Sequence, residues 1–201
     1  MPTPVVAVHP DPAALPRGQQ ERRERIVRAA ITLLEQGEYD AIQMRDVAQE
    51  AGVALGTVYR YFTSKEHLYA AALLEWAADF PAREPSRRSS GRTDEAELRA
   101  LMRRAVRAFE RYPQMMRVEI VIESSPDPNA RALFDQFAAR NVGALTSSLS
   151  STDPETAAAI VETVNSVLAT RLRAWALGRV TIADVDRSVQ KTLDLIFASD
   201  R

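Results

Sequence analysis

Apolar residues recur every third or fourth position along most of this chain, the spacing that gathers them on one face of an α-helix. From about Gln20 to Gln36 the face is Ile26, Ala29, Ala30, Leu33 and Leu34, and Gly37 supplies a stop. A short helix is expected from Met44 to Ala51, ended by Gly52, and another from Leu55 to Phe62, buried through Val58 and Phe62. Thr63 with Glu66, or Ser64 alone, caps a fourth reaching about Phe80. Pro81 to Arg92 has no apolar period and reads as a linker. Asp94 with Glu97 opens the next helix, to about Tyr112, and Pro113 begins one ending near Glu123. Asp127-Pro128 and Asp153-Pro154 each place a capping aspartate before a first-turn proline, starting helices to about Leu149 and Gly178. Thr181 with Asp184 opens a last helix to about Phe197. Nothing reads as a strand, so the pattern predicts an all-α protein of about nine helices.

Composition narrows the picture. With 201 residues, 46% hydrophobic and a net charge of −1, the chain has material for one substantial core and is not disordered overall. Seven glycines are too few for the turns of an all-β protein. The absence of cysteine excludes disulfides, thiolate nucleophiles and cysteine-ligated metals. No apolar run approaches the roughly 20 residues that span a bilayer, and Met1 to Pro16 lacks the basic-then-apolar order of a leader. A cytoplasmic protein is expected, with no membrane partner. Five prolines in the first 16 residues suggest a disordered arm over residues 1–18. Charge is uneven: Arg17 to Arg28 holds five arginines against Glu21 and Glu24, and Arg83 to Arg117 holds ten against five acids. Local patches of this kind, rather than the sum, decide affinity for a polyanion.

The most specific stretch is MRDVAQEAGVALGTVYRYF, Met44 to Phe62. It has the parts of a helix-turn-helix: a small residue at the contact (Ala48), a turn glycine (Gly52) and an apolar plug (Val53). The outer face of its second helix carries Leu55, Gly56, Thr57, Tyr59 and Arg60, with Tyr61 at the edge. No acid stands between Gly52 and Lys65, so phosphates would not be repelled there. An ordinary helical hairpin with core tyrosines is the plain alternative.

From Glu21 to Trp76, and most specifically through GVALGTVYRYFTSKEHL, the sequence resembles the TetR family of bacterial transcriptional regulators. The resemblance implies a three-helix DNA-binding domain over 19–66 and an effector-binding and dimerisation domain over 67–201. It makes Leu55–Phe62 the recognition helix and implies DNA contacts from Thr57, Tyr59, Tyr61 and Lys65. Arg60, at a variable position, suits guanine O6 and N7. Ala54 stands where many members have a serine N-cap. Gln43 stands where threonine often meets phosphate, and Arg45 adds charge beside it. The basic run Arg17–Arg28 is either a backbone or minor-groove contact or a solvated helix face.

The family also implies a two-fold dimer built from the last two helices. Their stripes include Ala157, Ile160, Val161, Val164, Leu168, Leu172 and Trp175, then Val185, Val189, Leu193 and Ile196. Periodicity alone leaves core and interface equally open. Interface positions are expected at Val161, Val164, Leu168, Leu172, Val185, Val189, Leu193 and Ile196. An apolar effector pocket is expected from Met102, Phe109, Tyr112, Met116, Ile120, Phe134, Phe137, Leu168 and Trp175, since Met and aromatic side chains suit a deformable cavity. Arg99, Arg103, Arg104 and Arg107 are candidates for an anionic ligand end, or an exposed face. ERRERI, GEYDAIQMRDVA and LRAWALGRVTIADVDRSVQKTLDLIF are further similar to the KstR-type repressors of actinobacterial sterol catabolism. That similarity implies a repressor released by a steroid- or fatty-acyl-CoA, with efflux or other metabolic control by an unrelated apolar ligand as the alternative. Enzyme function has little support: His9 and His67 are the only histidines, and no HExxH, Gly-rich phosphate loop or metal cluster is present. No cofactor or metal is expected.

Overall fold

A computed structural model describes residues 15–83 and 93–198. Most of the expected arm, and of the Pro81–Arg92 linker, lies outside these residues. The described residues form nine α-helices and no strand: α1 (Arg17–Gln36), α2 (Met44–Glu50), α3 (Leu55–Tyr61), α4 (Lys65–Arg83), α5 (Asp94–Arg111), α6 (Pro113–Glu123), α7 (Pro128–Ser147), α8 (Pro154–Ala176) and α9 (Ile182–Ala198), with a 3-10 turn at Tyr39–Ala41.

Local chemistry sets most boundaries. α1 begins three residues earlier than its apolar period, because the Pro16 carbonyl accepts from the Gln19 and Gln20 amides. It ends at Gly37 in an extended conformation, not the left-handed one. α4 continues past Pro81 to Arg83. Ser64, rather than Thr63, caps α4: its Oγ accepts the His67 amide at 3.0 Å. Similarly, Thr93 caps α5 and not Asp94, whose carboxylate instead accepts from the Ser151 amide and the Thr152 hydroxyl, each at 2.9 Å. Asp153 and the Thr181–Asp184 pair cap as expected. α8 closes on Gly178 (φ +70°), whose positive φ lets the Arg179 amide return to the Ala174 carbonyl.

The chain divides into two compact units. The first comprises the described residues up to Arg83 together with Arg117–Phe137; the second runs to Met116 and resumes at Ala138. This differs from a cut at residue 66, because α1 packs along α4 as well as α2. In the first unit Ile26, Val47, Val58, Phe62, Leu68 and Leu73 are fully buried.

In the second unit, α8 and α9 pack on each other and both meet α5. The stripes offered as a dimer interface are used here. Val161, Val164, Leu168, Leu172, Val185, Val189 and Leu193 are at most 7% exposed within a single chain, and Ile196 is half-buried. A side chain already removed from water by its own fold has no area left to give a partner, so these seven are core.

Candidate nucleic-acid interface

The α2–α3 turn is made by Gly52 (φ +62°). Its amide reaches the Gln49 carbonyl at 3.1 Å and the Val53 amide reaches Ala48 at 2.9 Å, the paired bonds of a Schellman ending. Val53 is half-buried beneath it. Before α2, the Asp46 carboxylate accepts the Gln43 amide at 2.7 Å, which sets where the helix begins.

α3 buries Val58 and turns its other side outward. Leu55 is 41% and Tyr59 50% exposed, two of only five large hydrophobic side chains left exposed among the described residues. Gly56 and Arg60 are exposed beside them and Thr57 is half-buried. Ala54 provides no side-chain cap. Gln43 and Arg45 are exposed at the start of α2, with Arg45 3.7 Å from Asp46.

Two expected contact residues are placed differently. Tyr61 is only 6% exposed, because the helical turn after Val58 carries it toward the interior. Arg60 lies over its ring, 5.3 Å from the centroid, with Nη2 3.5 Å from the hydroxyl. Tyr61 thus supports Arg60 from below and is not part of the outer ridge. Lys65 is half-buried; its ammonium donates to the Tyr39 carbonyl and sits 4.0 Å from the Tyr39 ring centroid. Burial lowers its pKa against the pull of Asp40, Glu66 and Asp46.

The basic run of α1 also divides. Arg23 stacks on Phe62 at 5.1 Å, and burial lowers its pKa despite Glu75 and Glu24. Arg25 donates to the Ala51 carbonyl at 3.1 Å, bracing the end of α2, and Arg17 pairs with Glu21. Arg28 stands exposed. Sequence periodicity gives no sign of the Arg23 and Arg25 roles, since their partners lie 26 or more residues away.

The remaining expected site residues are distributed between the units. Met102, Phe109, Met116 and Leu168 are buried in the second, where Tyr112 and Trp175 are half-buried. Ile120, Phe134 and Phe137 belong to the first, with the two phenylalanine rings stacked 6.0 Å apart. Arg99 is not available for an anion: it donates to Glu95 at 2.8 Å and to Asp194 at 2.7 Å. Arg103 and Arg107 are exposed.

A family described as "Bacterial regulatory proteins, tetR family" matches residues 26–72, and "Tetracyclin repressor-like, C-terminal domain" matches residues 91–196. The chain belongs to the TetR family. This TetR-family protein is a transcriptional regulator, and it is 31% identical to the HTH-type transcriptional repressor KstR of Rhodococcus jostii (strain RHA1), over 89% of this chain and 84% of that one. Among solved structures its fold is similar to a TetR transcriptional regulator from Rhodococcus sp. RHA1 (TM-score 0.73, 24% identity, 90% of this chain and 97% of that one). It is also similar to Thermus thermophilus FadR, solved in complex with lauroyl-CoA (TM-score 0.70, 22% identity, 87% and 93%). Among the described residues of this TetR-family chain no helix is long and apolar enough to cross a membrane.

Proposed function

We propose that the protein is a cytoplasmic repressor that binds a palindromic operator as a symmetric dimer and is released by a hydrophobic effector. The observation that carries this reading is the outer ridge of α3, where Leu55, Tyr59 and Arg60 stand exposed and no carboxylate lies between Gly52 and Lys65. Arg60 offers a planar fork for a guanine edge, and Thr57, Tyr59, Gln43 and Arg45 offer polar contacts beside it. A dimer sets two such ridges about 34–36 Å apart, one turn of duplex.

The effector reading is supported by the lauroyl-CoA bound to the FadR structure of similar fold. Met102, Phe109, Tyr112, Met116, Leu168 and Trp175, buried or half-buried in the second unit, are the apolar side chains proposed to line the effector site, with the exposed Arg103 and Arg107 as its positive charge. An acyl-CoA, apolar at one end and polyanionic at the other, matches both. Binding favours the conformation with wrongly spaced ridges, and its preference for that state sets the loss of DNA affinity.

Selection of duplexes from a random pool, followed by gel shift, tests the reading. Wild type selects a palindrome, while Arg60→Ala and Tyr59→Ala lose it and keep the wild-type sedimentation coefficient. Unchanged operator affinity in both variants would remove α3 as the recognition element. Lauroyl-CoA titrated onto the complex releases the duplex; release by an unrelated apolar compound alone would replace the acyl-CoA class.

A further inference from the structure

Thr63 and Ser64 are the residues through which the chain leaves α3 and enters α4. Both hydroxyls donate to one oxygen of a carboxylate more than sixty residues away: Thr63 Oγ1 to Asp127 Oδ2 at 2.7 Å, and Ser64 Oγ to the same atom at 2.5 Å. The other oxygen, Oδ1, accepts the Asn129 amide at 2.8 Å and so caps α7. Asn129, itself buried, returns a bond from Nδ2 to Thr63 Oγ1 at 3.4 Å. Asp127 is therefore a cap for the helix that follows it and a clasp on the exit of α3. The arrangement borders an open cleft of about 490 Å³.

A second contact of long sequence reach lies in the same unit. Arg117 donates to Asp40 at 2.9 Å, ahead of α2. Both partners are well exposed, and exposed pairs of this kind contribute little. The Asp127 bonds are charge-assisted and doubled on one atom, and the one from Ser64 is half-buried, so they hold the stronger grip.

We propose that Asp127 is a positioning residue for DNA recognition, fixing the α3 exit through Thr63 and Ser64 without touching DNA. The proposal rests on the α3 reading above. A ridge whose exit is already ordered loses less freedom on meeting the duplex, and affinity rises accordingly. No sequence spacing reveals this, because Asp127 already has a local use as the cap of α7.

Asp127→Asn tests it, because the asparagine carbonyl preserves the α7 cap while the acceptor facing the two hydroxyls is removed. On the duplex selected by wild type, Asp127→Asn weakens binding by about tenfold, the order of one charge-assisted hydrogen bond. The slope of log K against log salt stays unchanged, since no phosphate contact is lost. Thr63→Val with Ser64→Ala gives a similar loss, and the combined variant loses less than the sum, as residues of one network do. In the free protein, amide exchange of Leu55–Tyr61 speeds up in Asp127→Asn while the first turn of α7 keeps its protection. Wild-type affinity in Asp127→Asn, additive losses, or faster exchange confined to α7 would each overturn the positioning role and leave the α3 reading standing. A wild-type chain that selects no duplex overturns both.

Discussion

At the scale of single residues, arginines and carboxylates in this protein act through different partners at equal charge. Arg23 is drawn over the Phe62 ring and the exposed Arg25 reaches the Ala51 carbonyl, whereas Arg60 lies exposed above Tyr61. Asp127 is the carboxylate with the most to lose. Burial alone would raise its pKa, but the Ser64 and Thr63 hydroxyls and the Asn129 and Ala130 amides prevail and bring it to about 2. A carboxyl whose pKa falls on folding stabilises the native state above its unfolded value, near 4, and loses that contribution as pH drops through the folded value. The difference in Tm between wild type and Asp127→Asn is therefore expected to be constant from pH 6 to about 5, then to shrink toward pH 2. A difference that stays flat to pH 2 would contradict the clasp.

At the scale of elements, the helix-turn-helix is held by backbone chemistry more than by side-chain caps. A Cβ at Gly52 would meet nothing within 4 Å, so the position is set by its φ of +62° and not by crowding. Gly52→Ala is expected to destabilise by about 1 kcal/mol, the penalty of a left-handed backbone for a residue with a Cβ. Ala54 presents the opposite case, an extended N-cap position with no side-chain acceptor. Ala54→Ser is expected to stabilise by about 0.5–1 kcal/mol by accepting an orphan amide of the first turn. Urea unfolding measures both, and a destabilising Ala54→Ser would show that this first turn is closed to a cap.

At the scale of the whole molecule, the second unit has spent most of its apolar stripes on its own core, and the proposed dimer would use what remains outside. Leu195 on α9 is 75% exposed, two residues from the fully buried Leu193. Leu193→Ala is expected to lower stability by about 2–5 kcal/mol, as truncation in a packed core does. Leu195→Asp is expected to leave stability within about 0.5 kcal/mol and to shift the proposed dimer to monomer in analytical ultracentrifugation. A dimer undisturbed by Leu195→Asp would move the interface away from this face of α9.

The nine helices of the described residues, the caps at Asp127, Asp153 and Thr181–Asp184 and the turn at Gly52 were legible in the chain because each depends on residues within a few positions of one another, although Thr93 and not Asp94 caps α5. The identity of α3 as an outward ridge was legible for the same reason: its period and its missing acids lie between Gly52 and Lys65. Position along a helix does not say what will pack against a stripe, so only the assembled fold made Val189 and Leu193 core, sank Tyr61 beneath Arg60 and set Lys65 on Tyr39. The reach of Asp127 to Thr63 and Ser64 belongs with these, since hydrogen bonding across such a sequence distance is decided by how helices come together and leaves no local mark.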